Sequence, residues 1–158
     1  MKNAFPLMAF LFLSLPLYSQ SFESIVQAEF KSEEDYQKQE PSVLFCANYM
    51  LDHPLIEEDI KRQASIQFIL LWMEGTPDHT FSLGEEFMTL TNNDINLTGM
   101  YLAALAKTAI EGKGNLNDEQ LKSKSQDLFI DYCANKENKV KKHKAIKKLI
   151  KEKNKKED

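Results

Sequence analysis

Residues 65–73, SIQFILLWM, set the strongest limit on what this chain can become: seven of the nine are apolar and none is Gly or Pro. Ile56, Ile60 and Ala64 lead into them at helical spacing. Glu57, Glu58 and Asp59 stand at the start, where the positive end of a helix dipole favours carboxylates. The pattern predicts a helix over 55–74 closed by Gly75, amphipathic in its first half and apolar nearly all round in its second. The apolar run is far shorter than the roughly 20 residues that span a bilayer. Such a helix needs cover on several sides, so it belongs at the centre of a group of helices.

The rest of the chain offers that cover. Ser21 caps a short first helix bearing Phe22, Ile25, Val26 and Phe30, and the polar stretch SEEDYQKQE follows as a connection. Pro41 suits a first helical position, and Val43, Cys46, Ala47 and Met50 then share one face. This helix stops before His53-Pro54, because a residue preceding proline avoids helical geometry. Ser82 with Glu85 forms a capping-box pattern for a short helix over 83–90. A helix over 97–111, closed by Gly112, is kept slim by Ala103, Ala104, Ala106 and Ala109. Asn117 caps another with Leu121, Leu128, Phe129, Tyr132 and Cys133 inward, and a last helix over 138–153 carries Val140, Ile146, Leu149 and Ile150.

No stretch alternates at the strand period, and five Gly and five Pro in 158 residues favour helix. The expected fold is all-α, a single-domain bundle of six or seven helices. Pairs beginning near 41, 82 and 118 leave open an arrangement as helical hairpins. In its Leu-Gly-Tyr spacing NLTGMYLAALA resembles tetratricopeptide (TPR) helices, which would imply a TPR-like repeat adaptor.

At the N-terminus, Lys2 precedes an apolar run over residues 4–18 that Pro16 interrupts before a polar region. This is the build of a secretory signal peptide cut after Ser19. The expected organisation is a signal peptide at 1–19, a helical core at 20–137 and a lysine-rich terminal helix and tail at 138–158, with no membrane span after cleavage. The protein is then exported, periplasmic or secreted. Charge divides along the same line. Residues 20–135 hold 8 basic and 20 acidic side chains, a formal −12, whereas residues 136–158 hold 11 and 4, a formal +7.

Within the core, Cys46 and Cys133 are the only cysteines, 87 positions apart, each in an aromatic-Cys-Ala-Asn sequence on an apolar helix face. They read as two buried thiols or, in an oxidising compartment, as the halves of a disulfide. Trp72, Glu74, Asp78 and His79 gather around one inter-helix loop, where they form either a small polar binding pocket or an acid–base site. The bland alternative has Trp72 in the core and the carboxylates serving helix starts. The three histidines show no metal-ligand spacing, and no nucleophile elbow, zinc-protease or phosphate-loop motif is present. Nothing calls for a catalytic residue, a metal or a cofactor.

The terminal segment carries Lys141, Lys142, Lys144, Lys147, Lys148 and Lys151 around a narrow aliphatic stripe. Docked, it lies against the acidic body; free, it is a basic interaction arm for an anionic envelope component or another protein. The absence of arginine and aromatic side chains among its lysines argues against nucleic acid. Read in order, FILLWMEGTPDHTFSLG, LTGMYLAALAK and DYCANKENKVKKHKAIKKLI resemble a family of small exported all-helical bacterial proteins with no known activity. The resemblance implies export and an all-helical fold and transfers no functional residue. The resulting expectation is an exported, non-enzymatic binding or accessory protein of the bacterial cell envelope. A small enzyme using the loop from Trp72 to Glu86, or the repeat adaptor, is the alternative.

Overall fold

Asp94 accepts hydrogen bonds from the backbone N–H groups of Asn96 (2.8 Å) and Leu97 (3.1 Å), and so starts the helix on which the molecule is built. That helix spans Ile95–Gly112 and ends with Lys113 in the left-handed conformation. The computed structural model describes Phe22, Ile25 and residues 27–157. Among these, six α-helices and no strand are found: α1 (Glu33–Asp52), α2 (Ile60–Gly75), α3 (Glu85–Thr91), α4 (Ile95–Gly112), α5 (Asp118–Ala134) and α6 (Lys144–Glu157), with a 3₁₀ turn at Lys136–Asn138. The fold is an all-α bundle. The leader, its cleavage point and most of the first expected helix lie outside the described residues, although Phe22 and Ile25 are helical and Ile25 is buried.

The central helix is α4, not the one holding residues 65–73. Ala103, Ala104 and Ala106 are fully buried, and α1, α2, α3 and α5 all pack on this helix. Small side chains permit this close approach on several sides. At Gly99 a Cβ would come within 2.6 Å of Ile66 Cδ1, so the missing side chain leaves the room that Ile66 of α2 occupies. α2 instead buries only Arg62, Ser65, Phe68, Ile69 and Trp72, leaving Leu71 half exposed and Leu70 partly so. Hydrophobic composition alone misplaced the centre, because slim α4 has more neighbours than bulky α2. An array of hairpins stacks each unit only on the next. One hub touched by four helices is a bundle.

Several boundaries moved for local reasons. α1 begins at Glu33, eight residues before the expected start, because Asp35 folds back over the helix entrance. Its carboxylate accepts from the N–H of Lys31 (3.0 Å), the N–H of Ser32 (2.9 Å) and the Ser32 hydroxyl (2.9 Å). Pro41 therefore lies inside the helix. It and Gln37 are both exposed, so the carbonyl that loses its donor faces water. α2 begins at Ile60, with Asp59 capping Lys61 and Arg62 N–H groups, and residues 55–58 form a connection. α3 starts at Glu85 behind Gly84; Ser82 makes no cap. Asn117 caps α5 as expected, and with Gln120 it forms a reciprocal capping box, at 2.9 and 3.1 Å. α1 ends at Asp52, with His53 extended before Pro54 as anticipated.

The last helix starts six residues late. Asn138 is buried and ties two elements together: its side chain donates to the Tyr132 carbonyl (2.9 Å) and its own carbonyl accepts from Leu55 N–H (3.1 Å). Lys139 then turns left-handed, and an extended segment leads to α6.

Arg62 joins α1, α2, α4 and α5 at one point. It is 1% exposed. Its Nη2 lies 2.8 Å from the His53 carbonyl, 3.1 Å from those of Met50 and Pro54 and 3.3 Å from the Tyr132 hydroxyl, while Nη1 meets Met100 sulfur. These carbonyls are the negative end of the α1 dipole, so the cation finds partial charges where no carboxylate bonds it.

Candidate functional site

Two regions combine chemistry with accessibility: the connection between α2 and α3, and the outer face of α6. In the first, Trp72 is fully buried and donates from Nε1 to the Tyr36 carbonyl (3.1 Å). His79 stands beside it at 5.5 Å between ring centres, and Phe81 closes the cluster. His79 Nε2 lies 3.3 Å from Glu40 Oε1, and Asp78 accepts from Gln37 Nε2 (2.8 Å). The polar stretch of α1 thus exists as helix because it has partners here. Asp78 and His79 line a shallow cleft of about 380 Å³ with Glu40, Ile110 and Lys113.

The structure brings Trp72, Asp78 and His79 together but leaves Glu74 exposed, outside the hydrogen bonds of this cluster. The carboxylate that meets His79 is Glu40, 39 positions away, and sequence spacing held no signal for it. Trp72 follows the bland reading, a core side chain with its N–H satisfied. An imidazole next to one carboxylate can share a proton, yet among the described residues no hydroxyl or thiol hydrogen-bonds the pair.

The other histidines serve the backbone. His53 Nδ1 lies 2.8 Å from the Tyr49 carbonyl, and His143 Nε2 lies 2.8 Å from the Leu90 carbonyl. Among the described residues no group of three or more His, Cys, Asp or Glu is placed to hold a metal ion. Cys46 and Cys133 are fully buried free thiols, with no bond between them. Burial pushes Cys46 up to about 11, against a hydrogen bond with Ser65, and Cys133 up to about 12. Burial thus disfavours the thiolate, the nucleophilic form, at both sites.

The second region is α6. Ile146 is fully buried and Leu149 and Ile150 pack half-buried on the core, against α5 and α3. Lys153 reaches Asp131 (2.5 Å) and Asp127 (4.0 Å) on α5. The segment is therefore a docked helix, not a free arm. With its apolar stripe inward, 3.6-residue periodicity puts Lys144, Lys147, Lys148, Lys151 and Lys155 within an arc of about 100° on the opposite side. All five are exposed, and of them only Lys148 has an ion-pair partner, Glu152 at 3.7 Å, among the described residues. Lys141 is exposed and Lys142 half-buried, both in the extended segment before the helix. Lys155 joins the face because α6 runs on to Glu157, past the expected end at 153.

Among the described residues, no helix is long and apolar enough to cross a membrane. No family model matches this chain, no curated protein matches it, and no solved structure matches it.

Proposed function

We propose that this is an exported, non-enzymatic binding protein of the bacterial cell envelope, and that the lysine face of α6 holds it to anionic lipid headgroups. The observation that carries the reading is the orientation of α6: its aliphatic stripe is spent on the core while Lys144, Lys147, Lys148 and Lys151 point to water. With no apolar side left to insert, attachment is electrostatic, peripheral and reversible. The acidic remainder of the chain keeps the rest of the surface off the same membrane, so the charge division sets orientation as well as affinity.

Each lysine near an anionic surface contributes about 1 kcal/mol. Replacing all four by Gln is expected to weaken binding to phosphatidylglycerol vesicles by about 4 kcal/mol, nearly a thousandfold. Wild-type binding should vanish near 1 M salt, where the screening length is about 3 Å. Sedimentation with vesicles measures both. Binding that resists salt, or a four-lysine variant that binds as wild type, contradicts the proposal.

A further inference from the structure

Tyr101 presents a hydroxyl that the fold leaves without a partner. The residue is 2% exposed, and its ring is held between Phe87 and Phe129, each with ring centres 5.3 Å away. Among the described residues no group hydrogen-bonds its oxygen, and that oxygen is not among the buried atoms left unpaired; the residue lines a cleft of about 280 Å³ between the start of α3, α4 and the start of α5. Phe87, Leu105 and Leu121 form apolar walls around it. A hydroxyl that opens onto a mostly apolar cleft, with no protein partner among the described residues, is free to bond whatever enters the cleft. Its proton is held, since burial, followed by the charge of Glu86, raises Tyr101 to about 12. At neutral pH it is therefore a hydrogen-bond donor.

The surroundings define what fits. Lys122, the one cation among the described residues lining the cleft, is paired with Glu86 at 2.5 Å, and Asp118 and Glu119 stand close by. Anions are repelled by these carboxylates, and an apolar interior strips water from any charge. A dry cavity of about 150 Å³ already takes benzene, so this cleft has room for a substituted ring. We propose that the cleft is a binding site for a compact, neutral, mostly apolar molecule bearing one acceptor oxygen, which the Tyr101 hydroxyl meets. The site lies apart from the lysine face and stands or falls separately from it.

The test titrates the full chain with acetophenone, which has the acceptor, and with ethylbenzene, which has nearly the same shape without it, following side-chain NMR signals of Tyr101, Phe87 and Leu105. Wild type should show saturable shifts and bind the ketone more tightly. Tyr101→Phe should weaken the ketone about fivefold, the value of one hydrogen bond, and leave the hydrocarbon unchanged. Gly84→Trp should weaken both: Gly84 lines the cleft, and an added Cβ there meets nothing within 4 Å, so the larger side chain is added at the cleft without a clash at its base. Thermal melts confirm that each variant is folded. Absence of saturable shifts in wild type, equal ketone affinity in Tyr101→Phe, or undiminished binding in Gly84→Trp overturns the proposal.

Discussion

Replacing Arg62 separates two opposite views of a buried cation. Arg62→Met keeps most of the apolar stem and removes the guanidinium. The Met50 and Pro54 carbonyls then lose the one side-chain donor they have among the described residues, whereas the His53 carbonyl keeps the Tyr132 hydroxyl at 2.8 Å. Hydrogen bonds to a charged group contribute about 1.5–3 kcal/mol each. Two of them lost give about 3–6 kcal/mol, and relief of burying a charge without a carboxylate returns several kcal/mol of that. The expected net loss is about 2 kcal/mol for Arg62→Met. Arg62→Ala adds the loss of about three further methylene-sized groups at about 0.8 kcal/mol each, bringing it to about 4–5 kcal/mol. Urea unfolding followed by circular dichroism reads this directly: at an m-value of about 2 kcal/mol/M the midpoint falls by about 1 M for Met and a little over 2 M for Ala. A Met variant as stable as wild type would refute the role of the guanidinium as the clasp of the α1 terminus. Desolvation would then outweigh its bonds. The orphaned Nε, buried without any acceptor, shows that the site is already not fully satisfied.

Two further outcomes follow from individual side chains. Thiol titration of the folded protein should find Cys46 and Cys133 nearly inert and denaturant should release two reactive thiols; no thiol after denaturation would mean a disulfide instead. Asp59 is raised by burial, but the Tyr49 hydroxyl and the N–H groups of Arg62 and Lys61 outweigh this and hold it below its ordinary value. Its stabilising effect is then complete above about pH 4 and lost as pH falls through the lower folded value. Asp59→Asn should flatten that part of the acid limb, and an unchanged limb contradicts the assignment.

Much of this architecture was legible locally. Asn117 with Gln120, His53 before Pro54 and the alanines of α4 each act within a few residues, so spacing alone discloses them. The errors are long-range. SEEDYQKQE looks like a loop until Gln37 and Glu40 find Asp78 and His79 more than 35 positions away. Residues 65–73 look central until Leu70 and Leu71 are seen partly exposed, because periodicity reports how apolar a helix is, not how many neighbours reach it. The same reason hid Tyr101: a lone aromatic on the NLTGMYLAALA face reads as core, and only the cleft between three elements reveals its open hydroxyl. The lysine-rich segment was visible at once, but whether it is docked depends on Ile146 meeting a core assembled from distant parts of the chain.

The account rests on α4 as the hub and on α6 as part of the folded body. Residue-resolved amide hydrogen exchange in the full chain tests both together. Amides of Met100, Ala103, Ala104 and Ala106 should exchange slowest, only through global unfolding, and those around Ile146 to Ile150 should be protected well above a free helix even though the lysines beside them face water. Slowest exchange in α2, or exchange across α6 at the rate of an unstructured peptide, would contradict it.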